Sequence, residues 1–161
     1  MKCPLERGCG EMWSSVKFID DKVAFSRMPT ERELDEVAQD FDAVVVLVEE
    51  YELPYSLEEW KERGVEVLHS PIKDFTAPSV EQPLEVLRWV EGQVEAGKKV
   101  LIHCMGGLGR SGTVATAWLM YSKGLSLREA LMEVRKKRPG AVETWEQMEV
   151  LKELEKHLRS R

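Results

Sequence analysis

Two continuous apolar runs and one alternating segment predict the inner strands of a sheet. The runs are DAVVVLV over 42–48 and KVLIHC over 99–104, and the alternating segment is VEVLH over 65–69. Continuous β-branched runs favour strands that are covered on both faces, as in a parallel sheet. Earlier in the chain, VKFIDDKVAFS over 16–26 predicts a hairpin that turns at Asp20 and Asp21.

Helical segments follow the strands, and capping-box pairs mark where several of them begin. The segment 56–64 predicts a helix that ends at Gly64, and small or apolar residues on almost every side of 110–124 predict a central buried helix. The capping-box pairs are Thr30 with Glu33, Ser79 with Gln82, Ser126 with Glu129 and Thr144 with Gln147. This order predicts an α/β fold: a central, mostly parallel sheet of about five strands, helices on both faces and a helical C-terminal part.

Composition is that of an ordinary globular protein. The 161 residues contain neither an internal repeat nor a flexible linker, so we expect one domain over 1–161, with 1–12 as a loosely ordered extension. The net charge of −6 argues against a nucleic-acid partner. Without an apolar segment typical of a signal peptide or membrane span, we expect a cytoplasmic monomer with no membrane partner. The lack of Asn beside many Glu, Lys and Arg favours a thermophilic protein.

The segment HCMGGLGRSG over 103–112 has the features of a phosphate-binding loop. Gly106, Gly107 and Gly109 allow a tight turn that leaves backbone N–H groups uncovered, and a helix begins directly afterwards. Arg110 adds a planar fork that suits two phosphate oxygens. Cys104, at the start of the loop, is placed to attack a bound phosphorus, and the Ser111 hydroxyl is placed to hydrogen-bond its sulfur.

Other interpretations of this loop fit the sequence less well. Residues 107–112 match the G-x-G-x-x-G dinucleotide pattern, but only helices are predicted after it, and the pattern requires a following strand. A Walker A loop requires Lys followed by Ser or Thr, which the loop lacks. A purely structural turn leaves the combination of Cys, Arg and Ser unexplained. Cys3 and Cys9 have no second ligand cluster, so we expect no metal site.

The loop resembles the H-C-x-x-G-x-x-R-[ST]-G signature of the cysteine-based protein tyrosine phosphatase superfamily, matching it at every fixed position. In size the chain is similar to the dual-specificity branch, and as a whole it resembles the small archaeal phosphatases of that type. The segments PIKDFTAPS over 71–79 and VRKKRPGAVETWEQ over 134–147 also have counterparts in the family. The late position of the loop distinguishes the chain from the low-molecular-weight phosphatases, whose loop lies near the N-terminus.

The resemblance implies roles for individual residues. Cys104 would be the nucleophile, and Asp74, on the loop after an inner strand, would protonate the leaving group and then activate water. Ser111 would assist the departure of sulfur, and His103 would support the loop by hydrogen bonds. The phosphoryl group would be bound by Arg110 and by the loop residues Met105, Gly106, Gly107, Leu108 and Gly109.

Two further residue sets have more than one interpretation. Gln147 has a counterpart that positions the hydrolytic water in many family members, but its capping box with Thr144 explains it equally well. Glu49 and Glu50 follow an inner strand at the same sheet edge, which makes either a candidate second acid.

The tryptophans are expected to serve mainly in packing. The basic residues of RKKRPG over 135–140 are expected to form a solvated helix end.

Together these features predict a phosphomonoesterase that needs no metal or cofactor. Its expected substrates are phosphorylated proteins, with phosphotyrosine first and phosphoserine and phosphothreonine as further candidates. The alternatives are a phosphoprotein-binding module with weak catalysis and a phosphatase that acts on a non-protein ester such as a lipid or an RNA end. The residues between Cys104 and Arg110 are all neutral, which disfavours highly charged phosphoinositide head groups.

Overall fold

The computed structural model describes residues 16–72, 80–106 and 109–160. In this part of the chain five strands form one sheet with the order β1-β2-β5-β3-β4. The strands β2 to β5 run parallel, and β1 pairs antiparallel with β2 as the predicted hairpin. The strands are β1 (Lys17–Phe18), β2 (Val23–Ser26), β3 (Ala43–Val46), β4 (Glu66–His69) and β5 (Val100–His103). The predicted mostly parallel sheet is therefore confirmed.

Six α-helices and two short 3-10 turns accompany the sheet in the described ranges. The 3-10 turns are Glu31–Glu33 and Glu50–Glu52, and the helices are α1 (Leu34–Asp40), α2 (Glu58–Glu62), α3 (Glu81–Glu95), α4 (Arg110–Lys123), α5 (Leu127–Lys137) and α6 (Trp145–Arg159). None of these helices is long and apolar enough to cross a membrane.

Three of the predicted capping boxes form, with Thr30, Ser126 and Thr144 at the N-cap. For the fourth pair, Ser79 lies outside the described residues. The amide of Gln82 donates to Ser70 Oγ over 2.8 Å and to the Pro71 carbonyl over 3.0 Å. The side chain of Gln82 thus ties α3 to the segment that leaves β4.

The continuous apolar runs are explained by burial on both sheet faces. All four residues of β2, β3 and β5 are buried, and α4 contacts β2, β5, α3, α5 and α6. The register aligns Ser26, His103, Val46 and His69 at the carboxyl ends of the four parallel strands. Sites in such sheets form outside this edge. The chain therefore places Cys104, which follows β5 directly, beside the segments that leave β2, β3 and β4.

Candidate active site

Backbone hydrogen bonds from both neighbouring strands hold the start of the loop. The Leu47 N–H donates to the His103 carbonyl over 3.0 Å, and the Met28 N–H donates to the Met105 carbonyl over 3.2 Å. Cys104 lies between these two anchored carbonyls and is only 2% exposed. Hydrogen bonds from the segments that follow the neighbouring strands thus hold the chain on both sides of Cys104.

The sulfur of Cys104 lies against the first turn of α4. The backbone N–H of Ser111 donates to Sγ over 3.3 Å, and the thiol donates to Ser111 Oγ over the same distance. First-turn N–H groups have no partner within their own helix, so they are available to an anion. Once the sulfur is ionised, the Ser111 hydroxyl is placed to donate to it. The structure therefore brings Ser111 to the sulfur, as predicted.

Arg110 is a buried cation with a fixed counter-charge. Its side chain is 2% exposed, and its two terminal nitrogens donate to the two carboxylate oxygens of Glu52 over 3.0 Å each. Nη1 also donates to the Ile72 carbonyl over 2.7 Å. The hydrogen bond from Arg110 is the main cause that lowers the pKa of Glu52, against the opposing effect of burial. The contact with Ile72 also shows that the segment after β4 reaches the loop, as predicted.

Glu52 was missed by the sequence interpretation, which pointed to Glu49 and Glu50. In the structure Glu50 is exposed, and the carboxylate of Glu49 caps the 3-10 turn that begins at Glu50. The third residue of this turn, Glu52, points to the site, and its Oε1 also accepts from the Glu49 N–H over 2.8 Å. The available signal was indirect: a buried arginine requires a nearby carboxylate, because an unpaired buried charge is very costly.

His103 is fully buried at the carboxyl end of β5. Burial lowers its pKa to about 4, and the charge of Arg110 adds to the lowering. An interaction with the Cys104 backbone raises the pKa of His103 and so acts in the opposite direction, which places the ring beside that backbone. The ring thus lies at the start of the loop, and its predicted hydrogen-bonding role stays a prediction. The ring is neutral at pH 7 and packs beneath the loop.

The side-chain amide of Gln147 takes part in the predicted cap and leaves its nitrogen beside the loop. Its Oε1 accepts from the Glu143 N–H over 2.8 Å and from the Thr144 N–H over 3.1 Å. Its Nε2 is buried without a partner among the described residues, and a Cβ placed on Gly109 would lie 3.1 Å from it. Because the oxygen is occupied by the cap, Gln147 presents a hydrogen-bond donor at the loop.

Gly109 allows the segment before α6 to approach the loop closely. A Cβ at this position would overlap with the Glu143 carboxylate and lie in tight contact, 3.1 Å, with the Gln147 amide. Glu143 itself is exposed, so its carboxylate lies at the surface where the loop joins α4. The absence of a side chain at Gly109 therefore leaves room for the Glu143 carboxylate and the Gln147 amide.

Three large exposed side chains belong to the loop or to segments that contribute to the site. Tyr51 is 80% exposed, Trp145 71% and Met105 44%. A hydrogen bond with the Glu49 carboxylate raises the pKa of Tyr51, while the charge of Arg110 acts in the opposite direction, which indicates that the phenol lies within electrostatic range of Arg110. Trp145 is the first residue of α6, two positions before Gln147. The prediction that the tryptophans serve mainly in packing is thus wrong for Trp145.

Three predicted site residues lie outside the described part of the chain: Asp74, Gly107 and Leu108. The described residues nevertheless assemble a nucleophile, a helix N-terminus and an anchored guanidinium at one point of the sheet edge. This combination can bind a phosphoryl group and attack it from below.

Comparison with known proteins agrees with this geometry. The family model described as the catalytic domain of dual specificity phosphatases matches residues 23–157. Among solved structures, that of Tk-PTP in its active form is 83% identical, with a TM-score of 0.89, over 90% of this chain and 99% of that chain. A structure of PTPMT1 in complex with PI(5)P is 27% identical, with a TM-score of 0.85, over 91% of this chain and 98% of that chain.

The names of the curated relatives state different activities. The chain is 37% identical to cyclin-dependent kinase inhibitor 3 of Sus scrofa over 117 residues, which are 69% of this chain and 55% of that protein. It is 30% identical to the human phosphatidylglycerophosphatase and protein-tyrosine phosphatase 1 over 149 residues, 89% of this chain and 74% of that protein. The chain spans about half the length of the kinase-inhibitor relatives.

Proposed function

Because this chain belongs to the dual specificity phosphatase family, we propose that it hydrolyses phosphotyrosine in proteins through a phosphate ester of Cys104. Membership makes the chain a phosphoric monoester hydrolase; the substrate and the residue roles are the proposal. The observation that carries it is the sulfur of Cys104 at the N-terminus of α4, 3.3 Å from both the N–H and the hydroxyl of Ser111.

In the first step the Cys104 thiolate attacks phosphorus, and the bond between phosphorus and the ester oxygen breaks. Arg110 and the loop N–H groups from Met105 to Arg110 stabilise the charge on the phosphoryl oxygens. Asp74 donates its proton to the leaving oxygen, so that an alcohol or phenol departs rather than its anion.

In the second step water attacks the same phosphorus and the phosphorus–sulfur bond breaks. Asp74, now ionised, takes a proton from the water. The Ser111 hydroxyl donates to the departing sulfur, which stabilises it as a thiolate. The Nε2 of Gln147 donates to the water or to a phosphoryl oxygen, since its Oε1 is held by backbone N–H groups.

The preference for phosphotyrosine is supported by the exposed apolar side chains beside the loop. Tyr51, Met105 and Trp145 offer flat or flexible apolar surface to an aromatic ring that enters with its phosphate. Phosphoserine and phosphothreonine carry no ring to use this surface, so we rank them as weaker substrates.

A non-protein phosphate ester is the second candidate, favoured by the human relative whose name includes phosphatidylglycerophosphatase. Against a polyanionic head group stand the neutral residues between Cys104 and Arg110 and the net charge of −6. A binding module without turnover is disfavoured because Cys104, Ser111 and Arg110 are present together in a geometry suited to attack.

One peptide phosphorylated in turn on Tyr, Ser or Thr, compared with a soluble phosphoinositide in the presence of a chelator, tests the substrate class. We expect kcat/KM to be highest for the phosphotyrosine form, and Tyr51→Ala with Trp145→Ala to reduce that advantage. Faster turnover of the phosphoinositide than of every peptide would overturn the assignment to proteins. The exposed variant Glu58→Gln, remote from the loop, is the matched control.

A further inference from the structure

A strained residue lies between α5 and α6. Among the described non-glycine residues, Val142 alone has a positive φ, 64°. This left-handed region is unfavourable for L-residues and especially for β-branched ones, so it persists only where the surroundings enforce it. Val142 is 5% exposed, and the preceding Ala141 is fully buried.

The side chain of Arg135 binds the backbone carbonyl groups before and after the strained torsion angles of Val142. From the last turn of α5, Arg135 donates from Nε to the Ala141 carbonyl over 2.9 Å and from Nη2 to the Val142 carbonyl over 3.1 Å. Both carbonyls converge on one planar guanidinium, which fixes their relative direction. Arg135 is exposed, as are Lys136 and Lys137, in agreement with the predicted solvated helix end. In addition its guanidinium reaches these two backbone carbonyls.

The strained turn contacts the phosphate loop and α4 at two glycines. A Cβ on Gly112 would lie 2.8 Å from Ala141 Cβ, so the two backbones are in close contact. Directly after Val142, the Glu143 N–H donates to Gln147 Oε1, which leaves Gln147 Nε2 beside Gly109. The direction of the Val142 backbone therefore determines where the Gln147 amide faces the loop.

We propose that Arg135 is a positioning residue: by clamping the Ala141 and Val142 carbonyls it holds the left-handed turn that sets Gln147 against Gly109. This inference rests on the proposed function insofar as Gln147 serves the water step. It assigns Arg135 a part in hydrolysis of the cysteinyl phosphate without contact with the substrate.

The substitution Arg135→Met removes both hydrogen bonds and keeps an unbranched apolar stem. We expect kcat for p-nitrophenyl phosphate to fall by about 10-fold to 100-fold, since small displacements of positioning groups have effects of this size. A pre-steady-state burst of p-nitrophenol should appear or grow, because formation of the intermediate is spared, and KM should not rise. Lys137→Met, which removes a neighbouring charge from the same helix end, should leave kcat unchanged.

Rescue by glycine distinguishes the clamp from any other role of Arg135. Glycine adopts positive φ freely, so Val142→Gly in the Arg135→Met chain should restore kcat to within about 3-fold of the parent by removing the strain that the clamp opposes. A double variant as slow as Arg135→Met, or an Arg135→Met variant as fast as the parent, would contradict the proposal. If Arg135→Met does not fold, Arg135→Lys, which can reach only one carbonyl, takes its place in the same comparison.

Amide hydrogen exchange gives a readout that does not depend on activity. The Glu143 and Thr144 N–H groups donate to Gln147, and their protection should drop in Arg135→Met and return in the double variant. If the parent enzyme proves inactive on phosphate esters but this exchange pattern holds, the proposed function fails while the clamp stands. Unchanged protection in Arg135→Met would overturn the clamp itself.

Discussion

A single ion pair determines how Arg110 is presented to a phosphoryl group. The two side chains are 2% and 9% exposed, so water screens their attraction weakly. If one partner were removed, the charge of the other would remain buried without a counter-charge. The Glu52 carboxylate accepts hydrogen bonds from both terminal nitrogens of the guanidinium, and the Ile72 carbonyl accepts a second hydrogen bond from Nη1. The guanidinium of Arg110 is therefore held in one orientation before substrate binds. Binding then does not cost the entropy of ordering this side chain.

Replacing Glu52 by Gln should show the importance of this pair. We expect the free energy of unfolding to drop by about 3 kcal/mol, because a buried guanidinium loses its counter-charge, and KM for p-nitrophenyl phosphate to rise. Chemical denaturation and steady-state kinetics measure the two effects. Glu50→Gln, two residues earlier and exposed, should change neither; equal effects of the two substitutions would contradict the assigned role of Glu52.

Burial of neutral His103 predicts a pH dependence of stability. The pKa of His103 is about 4 in the folded protein and 6.5 in the unfolded chain. Between these values the unfolded chain binds more protons, so the free energy of unfolding falls as the pH drops from 6.5 to 4 and is independent of His103 above that range. At 1.36 kcal/mol per pKa unit, the loss amounts to about 3 kcal/mol.

Denaturation curves of the parent protein and His103→Asn across this pH range measure the effect. The variant cannot bind a proton at this site, so its stability should depend less on pH, while the carboxylates affect both proteins alike. Parallel pH profiles of the two proteins would show that His103 does not titrate as its burial requires.

At the scale of elements, the packing of α4 depends on a residue without a side chain. Gly112 lies in the first turns of α4, where Ala141 approaches to a distance that a Cβ would bring to 2.8 Å. Gly92 also lies inside a helix, α3, but no atom lies within 4 Å of a Cβ placed there. Both glycines therefore have a helical backbone, but only Gly112 has close neighbours at the position of a Cβ.

Opposite effects are expected when each of these glycines is replaced by alanine. Gly92→Ala should stabilise the protein by about 0.5–1 kcal/mol through its helix preference. Gly112→Ala should destabilise it by about 1–3 kcal/mol, because the turn around Ala141 must shift, and should lower kcat since that turn positions Gln147. Thermal unfolding of both variants measures the contrast. A Gly112→Ala protein as stable as Gly92→Ala would contradict the close contact.

Most elements were predictable from the sequence because their signals are local. Continuous apolar runs identified β3 and β5, and the boxes of Thr30, Ser126 and Thr144 marked helix starts that the structure confirms. Other contacts, which the sequence did not predict, join residues that are distant along the chain. Gln82 finds acceptors at Ser70 and Pro71, and Glu52 meets Arg110 across 58 positions. Neither contact leaves a periodic pattern in the sequence.

At the scale of the whole molecule, the site lies at the edge of the sheet where the parallel strands end. Register alone brings the ends of β2, β5, β3 and β4 into one row, and the segments that leave this edge supply Met28, Glu52, Ile72 and Cys104. The location of Cys104 and the proximity of the Ile72 segment were therefore predictable from the fold class. The strained turn at Val142 was not, because it results from packing of α5 and α6 against α4.

The reaction is tested by rapid quenching of the enzyme with p-nitrophenyl phosphate, followed by mass spectrometry of the peptide that contains Cys104. We predict a phosphate group on Cys104 in the parent protein, its accumulation when the Gln147 donor is removed by Gln147→Glu, and neither adduct nor turnover in Cys104→Ser. Sustained turnover by Cys104→Ser, or phosphate attached to any other residue during turnover, would contradict the mechanism.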